Sequence, residues 1–213
     1  MPNKFALTKF TAFITMTDQA PERLANLLAS IDACNRHDPQ LESEHNSQPK
    51  ALLYGQRMSA ALAKFAPDAG EYLQIAARAQ HIERWRIPRD DYPRDRAGYL
   101  RWRKELGQFH ARRTGELMGR HGYSQADSDR VGALLTKRQL KQDSEVQTLE
   151  DVICLVFIQY YLQDFAQSQP ADKLPNIIRK TWAKMSDRGH QQALTLSLAP
   201  DLQATLEAAL ASN

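Results

Sequence analysis

The stretch EVQTLEDVICLVFIQYYLQDFA, Glu145 to Ala166, decides the fold. Its apolar residues follow a helical period, and they are dense: Val152, Ile153, Leu155, Val156, Phe157 and Ile158 nearly adjoin. Such density predicts a central helix buried on most of its surface, with other helices supplying the cover.

The same period extends outward in both directions. Asp18 and Pro21 predict a helix start, with Leu24, Leu27, Leu28 and Ile31 carrying it to about Asn35. His37 to Pro49 is polar and reads as a loop. Pro49 opens a helix through Leu52, Met58, Leu62 and Phe65, which Pro67-Asp68 breaks. A third helix holds Tyr72, Ile75, Ala79 and Ile82 and is expected to end near Trp85. Ile87 to Arg96, with Pro88 and Pro93, reads as a loop long enough to be functional. A long helix from Ala97 to about His121 is stopped by Gly122, and Ser124 caps the next. Lys137 to Ser144 reads as a basic connector, and shorter helices close the chain. The expected fold class is all-α: one compact multi-helix bundle over residues 19–213, after a flexible extension at residues 1–18.

Composition narrows the function classes. The 213 residues carry a net charge of only +3, too balanced to argue for nucleic acid by itself. Between Arg78 and Arg113, however, ten arginines and one lysine face five acids. Arginine in that excess suits planar, bidentate contacts to phosphate or carboxylate, although a solvated, salt-bridged face explains it as readily. Cys34 and Cys154 lie in apolar helical runs without metal spacing and read as reduced core residues. No apolar run approaches a membrane span, and the N-terminal stretch makes a poor signal peptide, so the expected location is the cytoplasm.

Three segments place chemistry-bearing side chains among core-like neighbours. In AARAQHIERW, residues 76–85, Arg78 and Arg84 flank His81 at three-residue spacing. In YLRWRKELGQFHARR, residues 99–113, Arg103, Leu106, His110 and Arg113 share one helical face. In TLEDVICLV, residues 148–156, Glu150 and Asp151 enter the most apolar helix, where a carboxylate costs several kcal/mol unless paired or metal-bound. His81, His110 and Asp151 on three helices suit a divalent metal. They suit equally a metal-free acid–base pair, with Glu150 beside it and an arginine phosphate clamp, or a structural network.

The layout of LQIAARAQHIERW, FHARRTGELMGRHGY and TLEDVICL resembles that of HD-domain phosphohydrolases over roughly Leu52 to Asp164. That resemblance implies an HD-like bundle and a divalent metal site with Asp151 as a retained ligand, His110 in an auxiliary position and His81 in a ligand role. Where those proteins carry His-Asp, this chain has Gln80-His81. The stretches LLYGQRM, IPRDDYPRDRAGYLRWR, LEDVICLVF and KTWAKMSDRGH identify the chain as similar to the domain of unknown function 4202 family over nearly all of Ile31 to Leu210. This second resemblance directs attention to Lys180, Lys184, Arg188 and His190, which a helix C-cap with exposed basic residues would equally explain.

The expectation is an HD-like hydrolase acting on a small phosphorylated compound or nucleotide. His81, His110, Asp151 and Glu150 would carry the chemistry. Arg78, Arg84, Arg103, Arg113, Lys180, Lys184, Arg188 and His190 would bind the anionic substrate. The rival expectation is a non-catalytic module that docks RNA or an acidic partner on the arginine-rich segment 84–103, where Trp85, Tyr92, Tyr99 and Trp102 are interleaved.

Overall fold

The computed structural model describes residues 21–42, 47–168, 170 and 173–211. The extension expected at residues 1–18 lies outside the described residues. Helix α1 covers residues 21–35. A small antiparallel hairpin follows, β1 (Leu41–Glu42) with β2 (Gln48–Pro49), Leu41 opposite Pro49. It occupies part of the segment read as a plain loop. The buried Asp38 carboxylate organises this turn by accepting from the Gln40 and Ala51 backbone amides, both at 2.9 Å.

Helices α2 (Lys50–Phe65) and α3 (Glu71–Ala79) come next, then α4 (Arg96–Arg120) and α5 (Gln125–Leu135). Caps set the ends of the last two. Asp95 accepts from the Gly98 amide at 2.7 Å, and Ser124 with Asp127 forms a capping box. Gly98 is required there, since a β-carbon would run into the Pro93 carbonyl. Gly122, at φ +78°, releases the chain from α4.

The central stretch forms α6 (Ser144–Tyr160), with Asp143 as its N-cap. Val146, Leu149, Val152, Leu155, Val156 and Ile158 are all buried, each contributing roughly 1.5–3 kcal/mol of apolar burial. The helix does not run on to Ala166. It breaks at Tyr161 and resumes as α7 (Leu162–Ser168). No glycine or proline marks the break. Tertiary contact does: the Tyr161 hydroxyl accepts from Arg57 at 2.9 Å and its ring meets Tyr54.

Helices α8 (Leu174–Trp182), α9 (Asp187–Ala193) and α10 (Pro200–Ala211) complete the chain. Helix α6 packs against α2 and α9, α3 against α2 and α5, α4 along α5, and α8 on α10. One hydrophobic cluster extends from Leu27 in α1 to Ala209 in α10, so the fold is all-α around a single core. No described helix is long and apolar enough to cross a membrane. Cys34 and Cys154 are both free thiols, and Cys154 is buried as expected while Cys34 is half-buried.

Candidate functional site

Helix α3 stops at Ala79, six residues short of the expected end at Trp85. The backbone then turns through Gln80 to Glu83, and Glu83 adopts a left-handed conformation at φ +46°. A non-glycine residue there is strained, and its surroundings hold it. The Glu83 amide donates to Asn35 Oδ1 at 2.9 Å, and its carboxylate receives Arg113 Nε at 2.6 Å. This turn swings Gln80, His81 and Arg84 onto a cavity that a continued helix would not have lined.

The cavity measures about 490 Å³, within the range of small-ligand sites. Helix α2 supplies Tyr54, α4 supplies Arg103 and His110, the segment after α5 supplies Lys137 and Arg138, and α6 supplies Ile153. Arg84, Arg103, Lys104, Lys137 and Arg138 all line it, with no carboxylate among the described lining residues. Its surroundings therefore favour an anion.

His81 stacks on Tyr54, with centroids 3.6 Å apart and an interplanar angle of 16°. Its Nε2 stands 3.5 Å from Arg84 Nη1. A guanidinium only donates, so Nε2 is the accepting nitrogen. Part of His81 faces the cavity, but the ring lies deep beneath the surrounding shell. Burial first, and then Arg84, His110, Arg103 and Lys137, push its pKa well below the ordinary value. His110 is buried, its ring centroid 6.3 Å from that of His81. Burial, with Arg84 and Arg103, lowers its pKa to about 3. Both imidazoles are neutral at pH 7. Burial also lowers the Arg84 guanidinium from its usual value, and no described carboxylate pairs with it; it lies 4.8 Å over the Trp102 ring.

Glu150 is beside the site, behind Lys137. Its buried carboxylate is ion-paired with Lys137 and stands 3.8 Å from Lys184. The Lys137 Nζ contact on Oε2 lies outside hydrogen-bond geometry, so that oxygen has an ionic partner and no hydrogen bond. Burial and then the Glu150 charge raise the neighbouring Cys154 thiol to about 12, which leaves it protonated and inert.

Other expected site residues are engaged elsewhere. Asp151 points to the start of α9, where it accepts from the Ser186 amide at 2.7 Å and the Ser186 hydroxyl at 2.6 Å. It does not join His81 and His110 in the cavity lining. Arg78 holds Asp32 through two bonds, Nε at 2.7 Å and Nη2 at 2.6 Å, and Arg113 holds Glu83 and Glu116. Neither lines the cavity. Arg188 donates to the Phe65 carbonyl at the end of α2 and covers the Phe65 ring at 4.5 Å. His190 lies flat against Trp182 at 4.3 Å, with Nε2 2.9 Å from the Trp182 carbonyl oxygen. Lys180 is exposed on α8. Among the described residues no three His, Cys, Asp or Glu side chains come together as a metal-binding group.

Sequence reasoning missed Tyr54, Gln80, Lys104, Lys137 and Arg138 as site residues. Gln80 carried a local signal, its adjacency to His81. Tyr54 and Lys137 did not, because their roles depend on where α2 and the segment after α5 close on the turn.

No curated protein and no solved structure matches the chain. The family described as Domain of unknown function (DUF4202) matches residues 25–206, which is most of the sequence, and the chain belongs to that family.

Proposed function

We propose that this protein is an HD-like hydrolase of small phosphorylated compounds, working in the His81–His110 cavity without a metal ion. The observation that carries the reading is the meeting of unpaired Arg84 with a neutral imidazole in a cavity whose charged lining is entirely cationic. The donor set argues against a divalent cation there. Two imidazoles without a carboxylate, among five basic side chains, would meet it with repulsion. Asp151, the remaining ligand expected on the HD pattern, is committed to Ser186.

In this reading Arg84 and Arg103 hold the phosphoryl oxygens and offset the charge that grows in the transition state. As Arg84 turns from His81 to the phosphate, the Nε2 lone pair is released to accept a proton from the attacking water. The ester P–O bond breaks as the new one forms, and the leaving alcohol oxygen takes the proton that His81 received, which restores the neutral imidazole. Phosphate release from a panel of phosphate monoesters, measured in the presence of a chelator, tests the assignment. Activity lost in His81→Ala and Arg84→Gln but kept in Lys180→Ala supports it. Absence of both phosphate release and calorimetric phosphate binding would refute it.

A second reading, docking of RNA or an acidic partner, draws on Tyr99 and Leu100, exposed near Arg103 on α4. Much of the adjoining arginine charge is spent internally. Arg94 pairs with Asp90, Arg101 with Glu105, and Arg89 binds two backbone carbonyls. Affinity that falls steeply with salt and vanishes in Tyr99→Ala would favour this reading over the first.

A further inference from the structure

Holding one phosphate leaves part of the cavity lining without a task. Arg84 and Arg103 are the cations that depress both imidazoles, so they belong to the inner end of the cavity, beside His81 and His110. Lys137 is held by Glu150. Lys104 and Arg138 line the same cavity with exposed side chains, the first from α4 and the second from the segment after α5. The acids nearest to them in sequence are taken: Glu105 by Arg101 and Tyr92, and Asp143 by Arg130. No described carboxylate forms an ion pair with either cation.

Arg138 is also set in place by its backbone. It lies between Lys137 at φ +55° and Gln139 at φ +61°, both left-handed without being glycine. Such residues persist only where their surroundings hold them, and they gather at ligand clamps. Here the anchors are the Lys137–Glu150 ion pair and the Arg138 amide, which donates to the Ala133 carbonyl at 3.0 Å. The turn thus carries Arg138 to the cavity that Lys104 reaches from α4. Gln80 adds a neutral donor: its carbonyl oxygen is buried, so the amide nitrogen is the end that meets the cavity.

Four cations without a carboxylate partner therefore line about 490 Å³: Arg84, Arg103, Lys104 and Arg138. A phosphate monoester carries about two negative charges at pH 7. It answers Arg84 and Arg103 and leaves Lys104 and Arg138 uncompensated. A carboxylate would answer one of them, whereas a second phosphoryl group answers both. We infer that the cavity takes a small ligand bearing two phosphoryl groups, the inner on Arg84 and Arg103 and the outer on Lys104 and Arg138. This rests on the phosphate-binding reading above and adds what the far end of the substrate carries. Leu106, Leu135 and Ile153 give the lining an aliphatic part for the ligand's carbon frame.

The test is calorimetric titration of the full chain, at fixed ionic strength, with inorganic phosphate, inorganic pyrophosphate, propyl phosphate and propane-1,3-diol bisphosphate. At least one ligand with two phosphoryl groups is expected to bind about tenfold or more tighter than its counterpart with one. Which of them does so tells directly joined phosphoryl groups from separated ones. A more highly charged ligand also favours any basic surface, so variants decide the matter. Lys104→Gln and Arg138→Gln together are expected to erase the preference and to leave the affinity for propyl phosphate nearly unchanged. Lys64→Gln with Lys180→Gln, which removes two exposed cations outside the cavity, is expected to keep the preference. Equal binding of ligands with one and two phosphoryl groups overturns the inference and leaves the phosphate reading standing. A preference that survives loss of Lys104 and Arg138 overturns it as well. Binding of none of the four overturns both readings. Should the double variant fold poorly, each single variant supplies the answer, with part of the preference expected to be lost in each.

Discussion

Gly189 passes so close to Asp151 that a β-carbon at position 189 would lie 2.6 Å from Oδ1 and 2.8 Å from Cγ. The contact fits α9 against α6, with Ser186 capping α9 and giving its hydroxyl to the same carboxylate. Asp151 thus acts as a clasp between helices. Asp151→Ala is expected to destabilise the fold by about 2–4 kcal/mol, since it removes a buried acceptor from several donors. Gly189→Ala should destabilise too, by steric conflict. Neither variant should lower phosphate affinity measured below its melting temperature. Denaturant unfolding paired with calorimetry checks both parts.

Arg78 and Asp32 form a two-point pair whose side chains are only 17% and 11% exposed. Arg78→Ala would strand the Asp32 carboxylate and is expected to cost roughly 3 kcal/mol. Arg78→Ala, Asp32→Ala should cost less than the two single changes combined. A double-mutant cycle measures this, and a near-zero coupling would contradict it.

Stability should fall on the acid side through His110. Its folded pKa of about 3 lies far below the unfolded value. Between pH ~6.5 and pH ~3 the unfolded chain therefore binds a proton that the fold refuses. This neutral-histidine term favours the fold fully above the unfolded pKa and weakens as pH drops through the window, by on the order of 4 kcal/mol at its limit. His110→Leu should flatten the acid limb of the stability curve, and should change stability at pH 7 only slightly because Nε2 has no partner to lose. Urea melts at pH 7 and pH 4.5 read the difference.

Lys137 has a left-handed backbone, φ +55°, and also neutralises buried Glu150. These features pull in opposite directions. Lys137→Gly relieves about 1 kcal/mol of backbone strain but leaves the carboxylate with only distant Lys184, at a cost of roughly 3–5 kcal/mol. Net destabilisation is expected. Adding Glu150→Gln should recover most of it, and thermal melts of the single and double variants decide the matter.

Helix type and order were legible because burial writes a period into the sequence, and α6 is the plainest case. The ends at Asp95, Ser124 and Gly122 were legible because capping is local chemistry. The end of α3 was not. Nothing in HIERW marks a break: Glu83 is held left-handed by Asn35 and Arg113, which are 48 and 30 residues away. The same lack of local marking explains the candidate site. His81, His110, Arg84 and Arg103 were recognisable as charge among apolar neighbours. Whether an arginine serves a ligand or a carboxylate depends on what the fold sets opposite it, so Arg78 and Arg113 read like Arg84 until Asp32 and Glu83 were in place.

The parallel rings of Tyr54 and His81 give the cavity its own spectroscopic reporter. A proton above an aromatic face is magnetically shielded, so the His81 ring signals should stand upfield of an exposed histidine. His190, flat on Trp182, should share that displacement. Of the six histidines in the chain, one shifted pair of resonances would then watch the cavity while another watches the α8–α9 turn. A ligand entering beside His81 would move the first and leave the second as an internal standard.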